Sequence, residues 1–331
     1  MTTVMHSADA LPTFADVEAA AERLRGVAVR TPVLESEALN ERVGGRVLLK
    51  AECLQRTGSF KFRGACNTIS RIDAAAVVAY SSGNHAQGVA AAARLLGKTA
   101  TIVMPADAPA IKIESTRAHG ADVRLYDRHA ESREAIGVEI AARTGAALIR
   151  PYDDPRIIAG QGTVGLELAA QARKLDARPV VALVPCGGGG LIAGCALALT
   201  EAFPEIAIYA VEPAGLDDTR RSLEAGARQA NAPGATSICD ALLVPTPGEL
   251  TFALNRRLLA GGLAVTDDEV RSAMAFAFRH LKLVVEPGGA VALAAVLSKK
   301  LPLEGRTAAV VLSGGNVDPA LFAAAITGRS A

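Results

Sequence analysis

The chain has 331 residues, of which 35 are lysine or arginine and 34 are aspartate or glutamate, leaving a formal net charge of +1. At about 150 residues per domain, this length predicts two domains or one large α/β domain with a sizeable core. The balanced charge argues against nucleic acid and anionic membranes as partners, because both require clustered positive charge.

Two stretches without charged residues, 74–93 and 179–200, approach the length of a membrane helix. The first contains the polar run 81–87 and the second contains four consecutive glycines, and hydrocarbon would leave their polar groups unsatisfied. The N-terminus has no basic region, and Asp9 interrupts its apolar residues, so no secretory signal is indicated. We therefore expect a soluble, cytoplasmic protein that does not engage a membrane.

The five cysteines lack CxxC spacing, and the five histidines form no HExxH motif. Neither a disulfide framework nor a zinc ribbon nor a zinc hydrolase is therefore indicated. We expect the cysteines to be small buried side chains.

The elements begin with a capping box, Thr13-Phe-Ala-Asp16, which predicts an N-terminal helix. Continuous apolar runs then alternate with Ala/Leu-rich helical stretches, which predicts buried strands of parallel sheets. The predicted strands are 77–80, 100–104, 123–126, 180–185, 206–211 and 308–313. This α/β pattern predicts a small domain over 75–149, inserted into a large domain over 1–74 and 150–331.

A glycine loop follows the predicted strand 180–185 and precedes an apolar helix; it consists of Gly187, Gly188, Gly189 and Gly190. Without side chains, successive backbone N–H groups can close on an anion at the positive end of the helix. Glu212, about 22 residues later, matches the ribose-binding acid of a dinucleotide fold. However, the loop is neither GxGxxG nor GxxxxGK[ST], so the spacing favours a single phosphate.

A single phosphate without a nucleotide indicates pyridoxal phosphate, which also requires a lysine for its Schiff base. Lys61 stands apart from the other lysines because Ser59 is a candidate N-cap and Phe60 would begin a helix. A position in the first helical turn, with Arg63 two residues away, would favour the neutral, nucleophilic amine.

A second polar loop, Ser81-Ser82-Gly-Asn84-His85, also leads into a helix. Its hydroxyls, its amide and the N-terminal N–H groups of the helix suit a carboxylate and a phenolic oxygen. Ser313 ends the last apolar strand and would present a hydroxyl at the same sheet edge.

The motifs SFKFRG, SSGNHAQG, CGGGG and LSGGNVD occur in an order and at spacings that resemble the fold-type II pyridoxal phosphate enzymes, in particular the threonine/serine dehydratase and serine racemase branch. The resemblance runs from about residue 15 to about residue 320. It implies a tryptophan synthase β-like fold, in which the cofactor lies between two open twisted parallel-sheet domains, and a homodimer or higher homo-oligomer. The implied cofactor contacts are Lys61 in the Schiff base, Phe60 beside the ring, Asn84 on the phenolic oxygen, Gly187 to Gly190 on the phosphate and Ser313 at the pyridine nitrogen.

The implied activity is that of an ammonia-lyase acting on a small amino acid. The cofactor makes the α-proton acidic, Lys61 removes it, and loss of the β-hydroxyl gives an aminoacrylate that hydrolyses to a 2-oxo acid and ammonia. Ser313 fits this outcome because a hydroxyl, unlike Asp, does not enforce a protonated pyridine, and a weaker electron sink favours elimination.

Two positions bear on the substrate. Ser82 matches the hydroxyl that serves as the opposite-face acid/base in serine racemases. Arg133 aligns with an arginine that contacts a second carboxylate or polar end of the ligand; alternatively, it is a solvated arginine paired with a neighbouring Glu. The implied substrate contacts are Ser81, Ser82, Asn84, His85 and Arg133.

Serine or 3-hydroxyaspartate is therefore favoured over strict use of threonine, with racemisation of serine as a side activity. A dedicated serine racemase and a threo-3-hydroxyaspartate ammonia-lyase stay open as alternatives. So does a catalytically silent nucleotide- or amino-acid-binding protein, because a fold does not fix a function.

The segment from Glu212 to Asp218 resembles the divalent-cation site of the same branch. Its ligands would be the two carboxylates and the carbonyl of Leu216, a set of oxygens that suits Mg²⁺ or Ca²⁺. The alternative is a strand end followed by an acidic turn. This assignment replaces the interpretation of Glu212 as a ribose ligand.

Overall fold

A computed structural model describes residues 10–108 and 110–328 of the chain. The N-terminal residues used to argue against a signal peptide lie outside this range. Within it, no helix combines the length and the apolar character needed to cross a bilayer.

The strands and α-helices alternate through most of the described chain. The strands are β1 Val33–Leu34, β2 Arg46–Ala51, β3 Ala76–Tyr80, β4 Thr99–Pro105, β5 Asp122–Tyr126, β6 Ala147–Leu148, β7 Val181–Pro185, β8 Ala207–Pro213, β9 Gly261–Val265 and β10 Thr307–Leu312. The α-helices are α1 Phe14–Leu24, α2 Glu37–Val43, α3 Lys61–Ile69, α4 Asn84–Leu95, α5 Ala110–Ala118, α6 Arg133–Thr144, α7 Pro155–Lys174, α8 Gly190–Ala202, α9 Asp218–Ala225, α10 Glu249–Leu258, α11 Asp267–Phe276, α12 Pro287–Leu297 and α13 Pro319–Thr327.

The strands form two sheets, which confirms the predicted α/β fold with two parallel sheets. The first has the order β1-β2-β10-β7-β8-β9, and the second has the order β5-β4-β3-β6. The chain leaves the first sheet after β2, builds the whole second sheet, and returns through α7. Strand β10 lies between β2 and β7, where Val310 is in register with Leu49 on one side and Leu183 on the other.

Each of the six predicted strands is present. Strand β1, which was not predicted, pairs with β2 in antiparallel fashion at the edge of the otherwise parallel first sheet. One expectation about the strands is wrong. The predicted strand 123–126 is not buried, because β5 lies at the edge of the second sheet and only Tyr126 among its residues is buried.

The predicted capping box is confirmed at the start of α1. The side chain of Asp16 accepts a hydrogen bond of 2.8 Å from the backbone N–H of Thr13, and the Thr13 side chain caps the helix in return. Two donors that the helix start leaves without intrahelical partners are thereby satisfied.

The helices cover the faces of both sheets and build the core between them. Every residue of α12 is buried, in keeping with its apolar sequence. Helix α3 packs against α4, which flanks the second sheet, and also against α7, which leads back to the first. The division of the chain at 74/75 and 149/150 stays a prediction.

A cluster of four charges, the ionic cluster, joins β2, α3 and α7; three of the charges are fully buried, and the fourth, Glu167, is partly exposed. Arg63 has no solvent exposure, and its guanidinium donates to both carboxylate oxygens of Glu52, at 2.8 and 2.9 Å, and to both of Glu167, at 2.8 and 2.9 Å. The amine of Lys50, also fully buried, donates to Glu167 at 2.7 Å. The two positive and two negative charges balance, which allows them to be buried together.

We expect Arg63→Ala to lower the free energy of unfolding by about 3–5 kcal/mol, because it leaves the buried carboxylate of Glu52 without its partner. Urea denaturation followed by circular dichroism measures the change. As a control, Arg271→Ala removes a solvent-exposed pair with Asp268 and should cost less than about 1 kcal/mol. Equal losses in the two variants would contradict a structural role for the ionic cluster.

Candidate active site

The loops at the carboxyl ends of β3, β7 and β10 border one cavity between the two sheets. This is the edge at which open α/β sheets bind ligands. All of the predicted cofactor and substrate contacts line this cavity: Phe60, Lys61, Ser81, Ser82, Asn84, His85, Arg133, Gly187, Gly188, Gly189, Gly190 and Ser313.

Lys61 is the first residue of α3, and the start of this helix is fixed to the end of β10. The backbone N–H of Phe60 donates to the carbonyl of Ser313 at 3.2 Å, and Ser59 forms a β-bridge with Gly314. The amine of Lys61 donates to the carbonyl of Pro151 at 2.8 Å. Burial lowers its pKa from the usual 10.5 to about 8, against the opposing influence of the Glu286 charge.

Two expectations about this segment are wrong. Ser59 is not the N-cap of α3, because the helix begins one residue later than expected and the buried Ser59 hydroxyl has no partner among the described residues. Nor does Arg63 depress the pKa of Lys61, since its charge is taken up in the ionic cluster. The cause is burial, which a sequence pattern does not reveal.

The glycine loop connects β7 to α8, whose first residue is Gly190. Gly189 has a φ of +91°, which a residue with a side chain rarely adopts. At Gly188, a Cβ atom would lie 2.4 Å from the ring of Tyr152, so a side chain has no room there. The hydroxyl of Thr251 donates to the Gly188 carbonyl at 2.7 Å. These contacts fix the loop at the positive end of a helix, where an anion is favoured.

Asn84 begins α4, and both ends of its buried amide are engaged. Its Nδ2 donates to Glu286 at 2.6 Å, and its Oδ1 accepts from Asn316 at 2.7 Å. Gly83 precedes the helix without a side-chain cap, so the first-turn N–H groups of α4 lie open to an anion. The Ser81 hydroxyl accepts from the Gly83 N–H at 3.2 Å, which orders this turn.

His85 lies in the first turn of α4, and its ring is almost fully buried. One nitrogen, Nε2, is 3.1 Å from the carbonyl of Ile149, while Nδ1 has no partner in the part of the chain that the structure describes. Burial, with the charge of Lys61 acting in the same direction, lowers the pKa of His85 to about 3. The ring is therefore neutral, and Nδ1 is an acceptor, because a carbonyl requires the proton on Nε2. His85 therefore offers no positive charge to an anionic ligand, which would have to accept hydrogen bonds from the backbone N–H groups of α4.

Arg133, the first residue of α6, is half exposed at the wall of the cavity. Its Nε donates to Glu134 at 2.8 Å, and its guanidinium carbon lies 5.7 Å from the centre of the Tyr80 ring. Both interpretations of Arg133 thus have a basis, because the side chain is paired with a neighbouring Glu and also faces the cavity.

Several polar residues of the cavity wall had not been predicted as site residues, among them Tyr152, Glu286 and Asn316. Burial raises the pKa of Glu286 to about 8, and the charge of Asp240 acts in the same direction. One sequence signal was available for Glu286, since it is the only charged residue between Lys282 and Lys299. We find no such signal for Tyr152.

The residues of the predicted metal site lie outside the cavity. The oxygens of Glu212 accept from the backbone N–H groups of Thr219 and Arg220 at 2.9 and 2.8 Å. Asp218 begins α9; its Oδ1 accepts from Asn231 at 2.7 Å, and its Oδ2 is buried with no partner among the described residues. Burial, with the charge of Asp218, raises the pKa of Glu212 to about 8, and burial raises the pKa of Asp218 to about 6.

Known proteins are similar to this chain over almost its whole length. A family model described as pyridoxal-phosphate dependent enzyme matches residues 24–314. An L-threo-3-hydroxyaspartate ammonia-lyase from Pseudomonas sp is 45% identical over 322 residues, which are 96% of this chain and 99% of that protein. A serine racemase from Schizosaccharomyces pombe is 38% identical over 312 residues, 93% of this chain and 95% of that protein.

The crystal structure of a T.th. threonine deaminase superposes with a TM-score of 0.88 at 44% sequence identity, covering 93% of this chain and 99% of that one. These matches confirm the resemblance to the fold-type II enzymes of the threonine/serine dehydratase and serine racemase branch. The chain belongs to the family of pyridoxal-phosphate dependent enzymes.

Proposed function

We propose that this chain is a pyridoxal phosphate-dependent ammonia-lyase that converts L-serine, L-threonine or 3-hydroxyaspartate to a 2-oxo acid and ammonia. The observation that carries the proposal is the meeting, in one cavity, of a lysine of lowered pKa with two open helix N-termini. One N-terminus suits a phosphate and the other suits the carboxylate of an amino acid. The activities of the relatives support the same reaction class.

The residues of the cavity fit pyridoxal phosphate. The amides of the glycine loop suit its phosphate, the Lys61 amine suits its aldehyde carbon, and the Ser313 hydroxyl suits its ring nitrogen. Asn84 gives one Nδ2 hydrogen to Glu286, which leaves the second for the phenolic oxygen. When bound, the cofactor supplies an electron-withdrawing ring that makes the α-proton of the amino acid acidic.

The chain's own residues then move the protons. The first-turn amides of α4 hold the α-carboxylate, which orients the substrate. The neutral amine of Lys61 takes the α-proton at Nζ and passes a proton to the β-hydroxyl, which leaves as water. Ser313 favours this elimination over transamination, because a hydroxyl does not enforce a protonated ring nitrogen.

Racemisation of serine is a second candidate activity. It requires a proton donor besides Lys61, and the hydroxyl of Ser82 in the cavity wall supplies a group of the right type. The similarity to a serine racemase supports this role.

Arg133 favours 3-hydroxyaspartate as the substrate. Its guanidinium is a fork of donors that can pair with a second carboxylate in bidentate geometry, whereas threonine would place a methyl group beside it. A relative with 45% identity is an L-threo-3-hydroxyaspartate ammonia-lyase, which supports the same choice.

We also propose that Glu212, Asp218 and the Leu216 carbonyl bind Mg²⁺ or Ca²⁺. The donors are hard oxygens, and the unpartnered Oδ2 of Asp218 is available to a cation. Among the described residues no three His, Cys, Asp or Glu side chains are grouped for a metal, so water would complete the shell.

A homodimer or higher homo-oligomer in the cytoplasm completes the proposal. Exposed apolar side chains of Leu54, Phe278 and Val284 are available for contacts between copies.

The purified protein, supplied with pyridoxal phosphate, should release a 2-oxo acid from L-serine, L-threonine and L-threo-3-hydroxyaspartate. Borohydride reduction and peptide mapping should place the pyridoxyl label on Lys61, and Lys61→Ala should abolish label and release, because it removes both nucleophile and base. Lys174→Ala, on the exposed end of α7, is the control. Chiral analysis of serine in the same reactions detects racemisation. A colourless protein without turnover would favour a binding protein, and a label on another lysine would refute the assignment of Lys61.

The rate at which the apo-protein captures pyridoxal phosphate should rise with pH around a midpoint of about 8 rather than 10.5, because only the neutral amine attacks. Glu286→Gln should move this midpoint to lower pH, since the Glu286 charge raises the pKa of Lys61. Stopped-flow absorbance measures the rate, and the exposed Glu304→Gln serves as control. A midpoint near 10.5 would show that burial does not activate the amine.

Arg133→Asn should lower kcat/KM for 3-hydroxyaspartate about tenfold to a hundredfold, the effect of losing a charged hydrogen bond of roughly 1.5–3 kcal/mol. Turnover of threonine should be unchanged or improved. Steady-state kinetics with both substrates measure these changes. Arg128→Asn is the matched control, because Arg128 is also paired with an acidic side chain, that of Asp107. An equal loss of kcat/KM on both substrates would contradict a selective role of Arg133 and would favour an ordinary threonine/serine dehydratase.

A chelator should lower the melting temperature, and excess Mg²⁺ or Ca²⁺ should restore it, because a ligand of the native state stabilises that state. Asp218→Asn should weaken this response, whereas Asp268→Asn, on the exposed start of α11, should not. Differential scanning calorimetry measures the shift. An unchanged melting temperature in chelator and in excess cation would support the acidic-turn alternative.

A further inference from the structure

Gln161 of α7 is a buried amide at the wall of the cavity that forms no hydrogen bond in the described structure. The residue is 1% exposed, and neither its Nε2 nor its Oε1 has a partner among the described residues. Buried polar side chains are nearly always paired, because leaving them unpaired costs free energy. An unpaired amide at a cavity wall therefore indicates a partner that comes from the cavity.

The side-chain amide of Gln161 lies between the glycine loop and α3, the helix that begins with Lys61. Its Oε1 is 3.0 Å from the point that a Cβ on Gly190 would occupy, and its Nε2 is 3.1 Å from the corresponding point on Gly64. Gly190 is the first residue of α8, and Gly64 lies one turn after Lys61. The side chain thus reaches the place where the loop opens towards the cavity.

The orientation of the amide is free to suit a ligand. A rotation of 180° exchanges Nε2 and Oε1 without breaking any hydrogen bond of the described structure, because neither atom is engaged. After that rotation the donor faces the start of α8, where an anion would accept from it.

We propose that Gln161 is a side-chain ligand of the phosphate held by the glycine loop, donating from Nε2 to a phosphate oxygen. This inference rests on the proposed cofactor. Among the described residues, the cations that line the cavity are Lys61, Lys112 and Arg133, and none belongs to the loop or to α7. The proposed phosphate contacts are therefore neutral donors, the backbone amides of the loop together with the side chain of Gln161.

Asn255 of α10 provides a matched control. It is also fully buried with both polar atoms unpartnered among the described residues, and its Nδ2 is 2.8 Å from the Cβ point of Gly189. However, Asn255 is not among the residues that line the cavity. It therefore approaches the same loop with the same chemistry but from outside the cavity wall.

The test compares the dissociation constants of pyridoxal phosphate and pyridoxal for the apo-protein, measured by equilibrium dialysis. Gln161→Met, which keeps the length but removes the donor, should weaken binding of pyridoxal phosphate about tenfold to a hundredfold and leave pyridoxal unchanged. Gln161→Glu, which places a carboxylate near the phosphate, should weaken it at least as much. Asn255→Met should leave the ratio of the two constants unchanged.

The outcomes separate the two proposals. If the Gln161 variants bind pyridoxal phosphate and pyridoxal more weakly by the same factor, Gln161 has a packing role and the inference is overturned. Loss of the folded state in Gln161→Met and in Gln161→Glu, judged by circular dichroism, would also overturn it. A change of the ratio in Asn255→Met as large as that in Gln161→Met would do the same. Failure of the unmodified protein to bind pyridoxal phosphate would instead overturn the proposed function.

Discussion

The salt-bridged contact of Arg63 with Glu52 and Glu167 constrains the rest of the site. An unpaired ion in a protein interior is strongly unfavourable, so each of these groups must meet its partners for the fold to form. Arg63 lies two residues after Lys61 on α3, Glu52 follows β2, and Glu167 lies on α7. The ionic cluster therefore fixes the rotation of α3 about its axis, and with it the direction in which Lys61 projects.

Two effects determine the electrostatics of the cavity, namely the dipoles of two helices and the burial of titratable side chains. Backbone dipoles offer partial positive charge at the start of α8 and at the start of α4, where neither helix has a side-chain cap. Side-chain charge is instead kept low: Lys61 and His85 lose protons more readily through burial, and Glu286 retains its proton more readily for the same reason. Burial thus shifts the pKa values of Lys61, His85 and Glu286 towards their neutral forms, while the starts of α4 and α8 present the partial positive charge of backbone N–H groups.

The features that could be predicted from the sequence are those that depend on residues close together in the chain. Apolar runs located six strands, and the glycine loop and the Asn84 turn were evident from composition. Strand β2 escaped prediction because it contains Lys50, whose charge is balanced by Glu167, 117 residues away. Glu286 likewise meets Asn84 across 202 residues. Pairings of this kind arise from the tertiary fold, so no local sequence pattern predicts them.

The central place of β10 in the first sheet bears on how the protein is made. Strands β2 and β7 do not touch each other, because β10 fills the gap between them. Since β10 is the last of these strands to leave the ribosome, the nascent chain carries an unpaired edge on β2, and later a second one on β7, until β10 has been made. Such edges invite association with other chains, and pairing across long loops is slow. During synthesis, the half-built sheet is thus a natural client for chaperones.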